Sequence, residues 1–156
     1  MIKYTIVCKS NHWPVRLKKV NKIIDNILKS KKYLKFRNDI DYECNIILGN
    51  NILLKKINFE YRKKNKATDV LTFVSKLNLN KNKKKYCDIF ISAEVLKKDA
   101  KKNKISFYDH LTHILIHSFL HINGFIHKKI VDFNKMKNIE ILILKKNGIA
   151  NPYIIN

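Results

Sequence analysis

The chain has 156 residues, of which 46% are apolar and only three are Gly and two Pro. This composition excludes a disordered or fibrous protein and suffices for one domain with a hydrophobic core. The formal net charge of +21, from 33 basic and 12 acidic residues, favours polyanions such as RNA as partners. All but three of the basic residues are lysines, so nucleotide bias in the genome is an alternative source of part of this charge.

The N-terminal stretch and the cysteines indicate a soluble protein of a reducing compartment. Residues 1–8 alternate in polarity and contain no long apolar region, which argues against a signal peptide. The longest uncharged run, 111–127, contains four histidines and is too short for a membrane span. Cys8, Cys44 and Cys87 are odd in number and widely spaced, so we predict reduced, buried thiols and a cytoplasmic location.

Apolar periodicity and capping residues predict four strands and five helices. In chain order these are a strand at 2–8, a helix at 14–29, a strand at 41–48, a short helix that ends near residue 61, strands at 70–74 and 86–91, a helix capped by Ser92 that ends near residue 102, a helix capped by Ser106 that ends near residue 123, and a helix at 132–147. The Lys- and Asn-rich segment 78–85 is predicted to be a solvated hairpin loop.

The order of these elements predicts an α+β fold in a single domain that covers residues 1–156. The first two strands and the helix between them form a β-α-β unit, and the next two strands form a hairpin. One mixed four-stranded sheet packed with about five helices is therefore expected. The helix that follows Ser106 is apolar nearly all round, so we predict that it is buried and central.

Five of the six histidines lie between residues 110 and 127. His117 and His121 are four residues apart, which places both rings on one face of the predicted central helix. Gly124 ends that helix and allows His127 to turn back toward the same face. Three imidazoles without a fourth protein ligand indicate one zinc ion per chain, with a position open for water whose pKa zinc lowers to about 7. The predicted site is therefore catalytic, with His117 and His121 in the reaction centre.

The other histidines and the residue at position 118 refine this prediction. His113 lies one turn before His117, where a role beside the ligands and plain core packing are both open. His110 and His12 are predicted to be surface residues. Zinc peptidases of the H-E-x-x-H type carry their general base directly after the first histidine, where this chain has Ser118. Because helix 111–123 contains no carboxylate, a peptidase is disfavoured.

Residues 117–127, HSFLHINGFIH, resemble the H-G-x-L-H-L-x-G-Y-D-H signature of the YbeY-type endoribonucleases, which are bacterial rRNA maturation factors. His113 matches a histidine that precedes the signature by one turn. Residues 58–62, NFEYR, and 67–73, ATDVLTF, are similar to the family's N-x-x-Y-R and T-[DN]-V-L-S-F-P segments. Residues 87–91, CDIFI, resemble its G-D-I-x-I strand. The resemblance extends over roughly residues 2–145 in one register.

The resemblance implies a single-strand-specific, metal-dependent endoribonuclease that acts in 16S rRNA 3′-end maturation and ribosome quality control. The implied partners are single-stranded RNA and the small ribosomal subunit, with neither a membrane nor DNA. The implied zinc ligands are the same three histidines, and Arg62 is the basic residue beside the metal. A guanidinium there can donate paired hydrogen bonds to phosphate oxygens. Asp69 is a candidate for a position behind the ligands, the alternative being that Thr68 and Asp69 form a turn that caps the next strand.

Departures from the family pattern include Ser118 in place of Gly, Phe125 in place of Tyr, Ile126 in place of Asp and Val74 in place of Pro. A carboxylate at position 126 could orient a ligand histidine or accept a proton, and losing such a partner can cost about 10–100-fold in metal affinity or activity. No general base is assignable, and a metal-bound hydroxide is the best candidate. Two alternatives stay open: an RNA- or ribosome-binding assembly factor with a structural or vestigial zinc, and a metal hydrolase that acts on a small or protein substrate.

Overall fold

The computed structural model describes residues 1–75 and 83–154. Within them, four strands and five α-helices follow one another as β1 (Ile2–Cys8), α1 (Leu17–Leu28), β2 (Asp41–Gly49), α2 (Asn51–Arg62), β3 (Val70–Val74), β4 (Lys84–Ser92), α3 (Ala93–Lys102), α4 (Phe107–Ile122) and α5 (Ile130–Lys146). A one-turn 3-10 helix, Pro14–Arg16, precedes α1. The predicted number and order of elements are confirmed, and differences from the sequence prediction occur only at element ends.

The four strands form one mixed sheet in the order β1-β2-β4-β3. Strand β2 pairs in parallel with both β1 and β4, whereas β3 and β4 are antiparallel. The predicted β-α-β unit and hairpin are therefore both present. The predicted loop 78–85 falls mostly outside the described residues, but Lys84 and Lys85 already belong to β4.

One face of the sheet forms the floor of the hydrophobic core. Side chains alternate along a strand, so every second residue of the two central strands points to this face. These residues are at most 2% exposed and comprise Cys44, Ile46, Leu48, Cys87, Ile89 and Ile91. They form one cluster with the apolar residues of α1, α4 and α5.

Helix α4 is the central helix, as predicted. Ten of its 16 residues are buried, and it packs on α1, α3, α5 and β3. Its first turn is capped by Ser106, whose hydroxyl accepts the Asp109 amide at 3.0 Å. Each fully buried Leu, Ile or Phe contributes about 1.5–3 kcal/mol relative to an exposed one. The burial of α4 therefore gives its histidines a firmly positioned backbone.

The thiols only partly follow the prediction. Cys44 and Cys87 are buried and unbridged, but Cys8 is exposed. The prediction of a buried Cys8 is wrong because this residue ends β1, an edge strand with a neighbour on one side only. Among the helices of the described residues, none combines the length and the apolar character needed to cross a membrane.

Candidate metal centre

The structure brings His117, His121 and His127 together at the C-terminal end of α4. One ring nitrogen from each lies within 4.8 Å of the others. The Nε2 atoms of His117 and His121 are 2.9 Å apart. The ring centroid of His127 is 5.5 Å from that of His117 and 5.0 Å from that of His121. The three residues therefore form one cluster, called the histidine triad below.

The reversal that returns His127 to the triad depends on Gly124. Its φ of +89° is in the left-handed region, where a residue with a Cβ is strained. The turn is closed by two backbone hydrogen bonds, from the Gly124 amide to the His121 carbonyl at 3.1 Å and from the Phe125 amide to the Leu120 carbonyl at 3.1 Å. Helix α4 thus ends in the manner predicted, and the chain leads directly back to the first two histidines.

The hydrogen bonds of the two helical histidines fix which nitrogens are free. Nδ1 of His121 lies 2.9 Å from the Phe125 carbonyl, and Nδ1 of His117 lies 2.6 Å from Oε1 of Glu140. A carbonyl and a carboxylate only accept, so each Nδ1 carries a proton, and in the neutral form of each ring the lone pair is on Nε2. Burial lowers the pKa of His121, and the neighbouring His117 lowers it further, which favours the neutral ring.

The two Nε2 atoms lie 2.9 Å apart, close enough for both to bind one cation when each carries a lone pair. The donors are neutral imidazoles, which suit zinc and its first-row neighbours. The triad is also open to solvent, because His127 is exposed and the side chain of His117 is 27% exposed. The residues present therefore fit a metal ion with free coordination positions.

Glu140, on α5, is the functional residue that the sequence analysis missed. It is 1% exposed and accepts hydrogen bonds from His117 and, at 2.6 Å, from Nε2 of His113. The Tyr153 hydroxyl donates a third hydrogen bond to it. Burial by itself would raise the pKa of Glu140, but the hydrogen bonds from His113, His117 and Tyr153 hold it at about 2. A buried, ionised carboxylate therefore orients His117.

A sequence signal for Glu140 exists. The buried residues of α5 are Met136, Glu140, Ile143 and Leu144, which follow helical spacing on one face. A carboxylate inside such an apolar stripe is rarely buried without a partner. His113, one turn before His117, shares this carboxylate with it. Its position favours a role beside the ligands over plain core packing.

Arg62 is the last residue of α2 and is exposed. Its guanidinium carbon lies 5.8 Å from the centroid of the Phe73 ring on β3. Val70 is three residues before Phe73, so its side chain points to the opposite face of the strand. That side chain packs against the core that contains α4. Arg62 therefore lies on the face of β3 opposite to the face that packs against the core. Among the described residues, Arg62 takes part in no ion pair, which leaves its donors available to a ligand.

Asp69 lies in the turn before β3. Its Oδ1 accepts the Val70 amide at 2.7 Å and the Thr68 hydroxyl at 3.2 Å. The turn alternative therefore describes its hydrogen bonds, and within residues 1–75 and 83–154 it makes none to the triad. Its carboxylate instead lies within 4.8 Å of ligand atoms of Asp99 and His110.

The prediction of a surface position is wrong for His110, which is 7% exposed. Helix α4 is covered on several sides, and α3 packs against it, so this ring is enclosed despite its polarity. His12 is different, because its side chain is 37% exposed. Its ring contacts charged groups of α3, with Nδ1 at 3.1 Å from the Lys97 ammonium and Nε2 at 3.7 Å from the Glu94 carboxylate.

The departures from the family pattern have distinct environments. Ser118 is fully buried, and its hydroxyl has no hydrogen-bond partner in the described part of the chain. Phe125 is partly buried against the core. Ile126, the residue before His127, is 50% exposed, so an apolar side chain faces solvent at this position.

Comparison with known proteins gives one family. The family model described as endoribonuclease YbeY matches residues 5–148. A relative of that name from Ehrlichia ruminantium (strain Gardel) is 38% identical over 157 residues, covering 99% of this chain and 96% of the relative. Another from Ehrlichia chaffeensis is 43% identical over 113 residues, or 70% of each chain. One from Pelagibacter ubique is 38% identical and covers 93% of this chain and 95% of its own.

The fold also has a relative among solved structures. The solution structure of a Thermotoga maritima protein aligns with a TM-score of 0.55 at 20% sequence identity. The alignment covers 95% of this chain and 92% of that protein. The two chains therefore share their fold.

Proposed function

Because this chain belongs to the endoribonuclease YbeY family, we propose that it is a metal-dependent endoribonuclease that cleaves single-stranded RNA. The observation that carries the proposal is the convergence of His117, His121 and His127, with the Nε2 atoms of His117 and His121 2.9 Å apart. Such a donor set at the solvent-facing end of a buried helix suits hydrolysis, since a substrate can reach it.

The three histidines would hold one zinc ion per chain. Zinc bound to three protein ligands supplies Lewis acidity and a water molecule with a pKa of about 7. Glu140 accepts a hydrogen bond from the Nδ1–H group of His117 and thereby makes the opposite nitrogen, Nε2, a stronger metal ligand. The Phe125 carbonyl does the same for His121. Both contacts hold the rings in place before substrate arrives.

Arg62 is proposed to bind the scissile phosphate. Its planar guanidinium can donate two parallel hydrogen bonds to phosphate oxygens, and its charge does not depend on pH. RNA would then pass along the outer edge of β3, with the phosphate between the guanidinium on one side and the triad on the other. The excess of lysines attracts the RNA backbone and contributes affinity without sequence preference.

The biological setting is proposed from the family resemblance. The substrate would be the 3′ end of 16S rRNA, and the enzyme would act with the small ribosomal subunit in rRNA maturation and ribosome quality control. A cytoplasmic location follows from this setting, and neither DNA nor a membrane is expected as a partner. We also propose that residues 1–156 form one domain of this type.

The direct test is cleavage of an end-labelled, single-stranded RNA with the sequence of the 16S 3′ end. Wild type is compared with His121→Ala, and His12→Ala serves as a control that removes a histidine remote from the triad. Each protein is assayed with chelator, and again after added zinc. We expect cleavage that needs both the metal and His121 and that survives in His12→Ala.

Two results would contradict the proposal. Cleavage by His121→Ala at the wild-type rate would place the chemistry elsewhere. A wild type that holds zinc and binds RNA with steep salt dependence, yet does not cleave, would support the assembly-factor alternative and point to Ile126 as the first position to change. Binding to RNA without salt dependence would favour the hydrolase of small or protein substrates.

A further inference from the structure

A second group of ligand-type side chains lies at the other end of α4. It consists of Asp69 in the turn before β3, Asp99 on α3 and His110 in the first turn of α4. One ligand atom from each lies within 4.8 Å of the others. Three separate elements therefore contribute one side chain each to a single point, which is called the Asp-His cluster below.

His110 is the unusual member of this cluster. It is 7% exposed, and both ring nitrogens are buried without a hydrogen-bond partner in the described part of the chain. An unsatisfied buried polar group costs about 1–3 kcal/mol, so such groups normally have an ordered water or an ion as partner. The ring lies beside two carboxylates, which makes a cation the matching partner.

We propose that Asp69, Asp99 and His110 form a second metal site, which takes a divalent transition-metal ion such as zinc or manganese. Two carboxylates supply a charge of −2 that balances the ion, and one imidazole nitrogen favours zinc, manganese or cobalt over calcium and magnesium. This donor set differs from that of the histidine triad, which contains nitrogen only.

The protonation and hydrogen bonding of the cluster leave the necessary atoms free. Burial lowers the pKa of His110, and the nearby His113 lowers it further, against the opposing effect of the two aspartates. The ring is then neutral at pH 7 and offers a lone pair. Oδ1 of Asp69 is occupied by the Val70 amide and Thr68, which leaves Oδ2 for a ligand. Within the described residues, the Asp99 carboxylate has no hydrogen bond or ion pair.

An ion at ~2.0–2.2 Å from its ligands holds neighbouring ligand atoms roughly 3–4 Å apart. The ligand atoms of the cluster, all within 4.8 Å of one another, reach such separations by rotation about side-chain torsions. The site lies apart from the triad, since His110 and His117 are seven residues apart, or about 10 Å along a helix axis. Paired catalytic metals lie ~3.5–4 Å apart, so this ion would not share the reaction. It would instead join α3, α4 and the turn before β3.

The test uses the full chain with the triad disabled by His117→Ala and His121→Ala, so that the second site is observed alone. Zinc binding is measured by calorimetry, and cobalt binding by its visible absorption. We expect one equivalent of metal per chain. Adding His110→Asn or Asp99→Asn should lower the metal affinity by at least about tenfold. Losing a group that only orients a ligand already costs about 10–100-fold, and losing a ligand itself should cost no less. Adding His12→Asn, the matched control for a histidine beside a carboxylate, should not change it.

Several results would overturn the proposal. The triad-disabled chain, shown by circular dichroism to be folded, could bind no zinc or cobalt at micromolar concentrations. It could also bind an ion whose affinity is unchanged by Asp99→Asn and by His110→Asn. Asp99 is half-buried, so its substitution tests the site even if His110→Asn fails to fold. Because the triad is absent throughout, failure here leaves the proposed RNA cleavage untouched.

Discussion

The two ends of α4 carry two groups of potential metal ligands that differ in composition, exposure and support. The histidine triad offers three neutral nitrogens and reaches solvent through His127, whereas the Asp-His cluster surrounds the buried His110 with two carboxylates. Catalysis requires that substrate reaches the ion, so only the first arrangement suits a reaction centre. An enclosed site with charged oxygens suits a structural ion, which needs charge balance more than access.

The support of the rings differs as well. In the triad, Glu140 and the Phe125 carbonyl fix the tautomer and orientation of two histidines. In the Asp-His cluster no hydrogen bond within the described residues orients the His110 ring. Ligand types alone therefore do not define a reaction centre. The hydrogen bonds behind the ligands determine whether the free nitrogens are already aimed at one point.

The largest expected effect is on RNA cleavage, which should depend on the histidine triad and not on the Asp-His cluster. His127→Ala should lower RNA cleavage at least about 10³-fold, because the ion supplies several kcal/mol of transition-state stabilisation. His110→Asn should leave cleavage within a few-fold of wild type. Metal content, measured by mass spectrometry, should fall from two ions per chain to one in both variants. Equal losses of cleavage in the two variants would contradict the assignment of catalysis to the triad alone.

The next effect concerns the guanidinium across β3. Arg62→Lys keeps the charge but loses the paired hydrogen bonds, and we expect cleavage to fall about 10²-fold. Arg37→Lys is the control, since Arg37 forms an exposed ion pair with Asp39 at 2.6 Å. Single-turnover kinetics of both variants check this. If Arg62→Lys and Arg37→Lys cleave equally well, Arg62 is not at the reaction centre.

A third effect is the pH dependence of stability in the metal-free protein. The folded-state pKa of Glu140, about 2, is below the value of about 4.3 expected for the unfolded chain. Its contribution, about 3 kcal/mol, is therefore fully present above pH ~4.3 and is lost as the pH falls toward ~2. Urea unfolding from pH 7 to pH 3 measures the part of this loss that falls above pH 3, roughly 2 kcal/mol. Glu140→Gln is the reference, and identical pH profiles for wild type and this variant would exclude the stated coupling.

Glu140 also allows a test of whether the hydrogen bonds behind the ligands affect metal affinity. Glu140→Gln should lower zinc affinity at the triad about 10–100-fold, because His117 loses the charged acceptor of its Nδ1 proton. Affinity at the Asp-His cluster should not change. Calorimetric titration in a His110→Asn background isolates the triad for this purpose. An unchanged affinity there would mean that Glu140 stabilises the fold without acting on the ligand.

The smallest expected effect lies between the two groups, at Ser118. Its hydroxyl is buried without a partner in the described residues, so Ser118→Ala should raise the free energy of unfolding by about 1 kcal/mol. Thr112→Val is a matched contrast, because the Thr112 hydroxyl donates to the Tyr108 carbonyl at 2.7 Å and its loss should destabilise the protein. Urea denaturation of both variants tests the pair. Destabilisation by Ser118→Ala would indicate an unrecognised partner of this hydroxyl.

Sequence patterns predict what is local. The strands, the buried α4 and the convergence of His117, His121 and His127 follow from spacing within short segments, since a helix and one glycine turn suffice to assemble the triad. Glu140 lies 23 residues after His117, and their contact depends on how α5 packs on α4. That packing is tertiary, so the pairing escapes sequence reasoning even though an acid in an apolar stripe marks the residue.

The Asp-His cluster is beyond sequence reasoning for the same cause. Asp69, Asp99 and His110 lie on three elements, and only the sheet order and the packing of α3 on α4 bring them together. The sequence predicts an exposed His110 because a polar residue near a helix start usually is exposed. The enclosure of α4 by several elements overrides that tendency, and periodicity along one segment carries no information about it.

The hydroxyl of Tyr153 has a practical consequence for handling the protein. It donates a hydrogen bond to Glu140 from a short segment beyond the last helix. Trimming the chain after residue 150, by a protease or by design, would leave every candidate ligand in place and still loosen the carboxylate behind His117. Preparations that differ only in whether they keep Tyr153 should therefore differ in how tightly they retain metal.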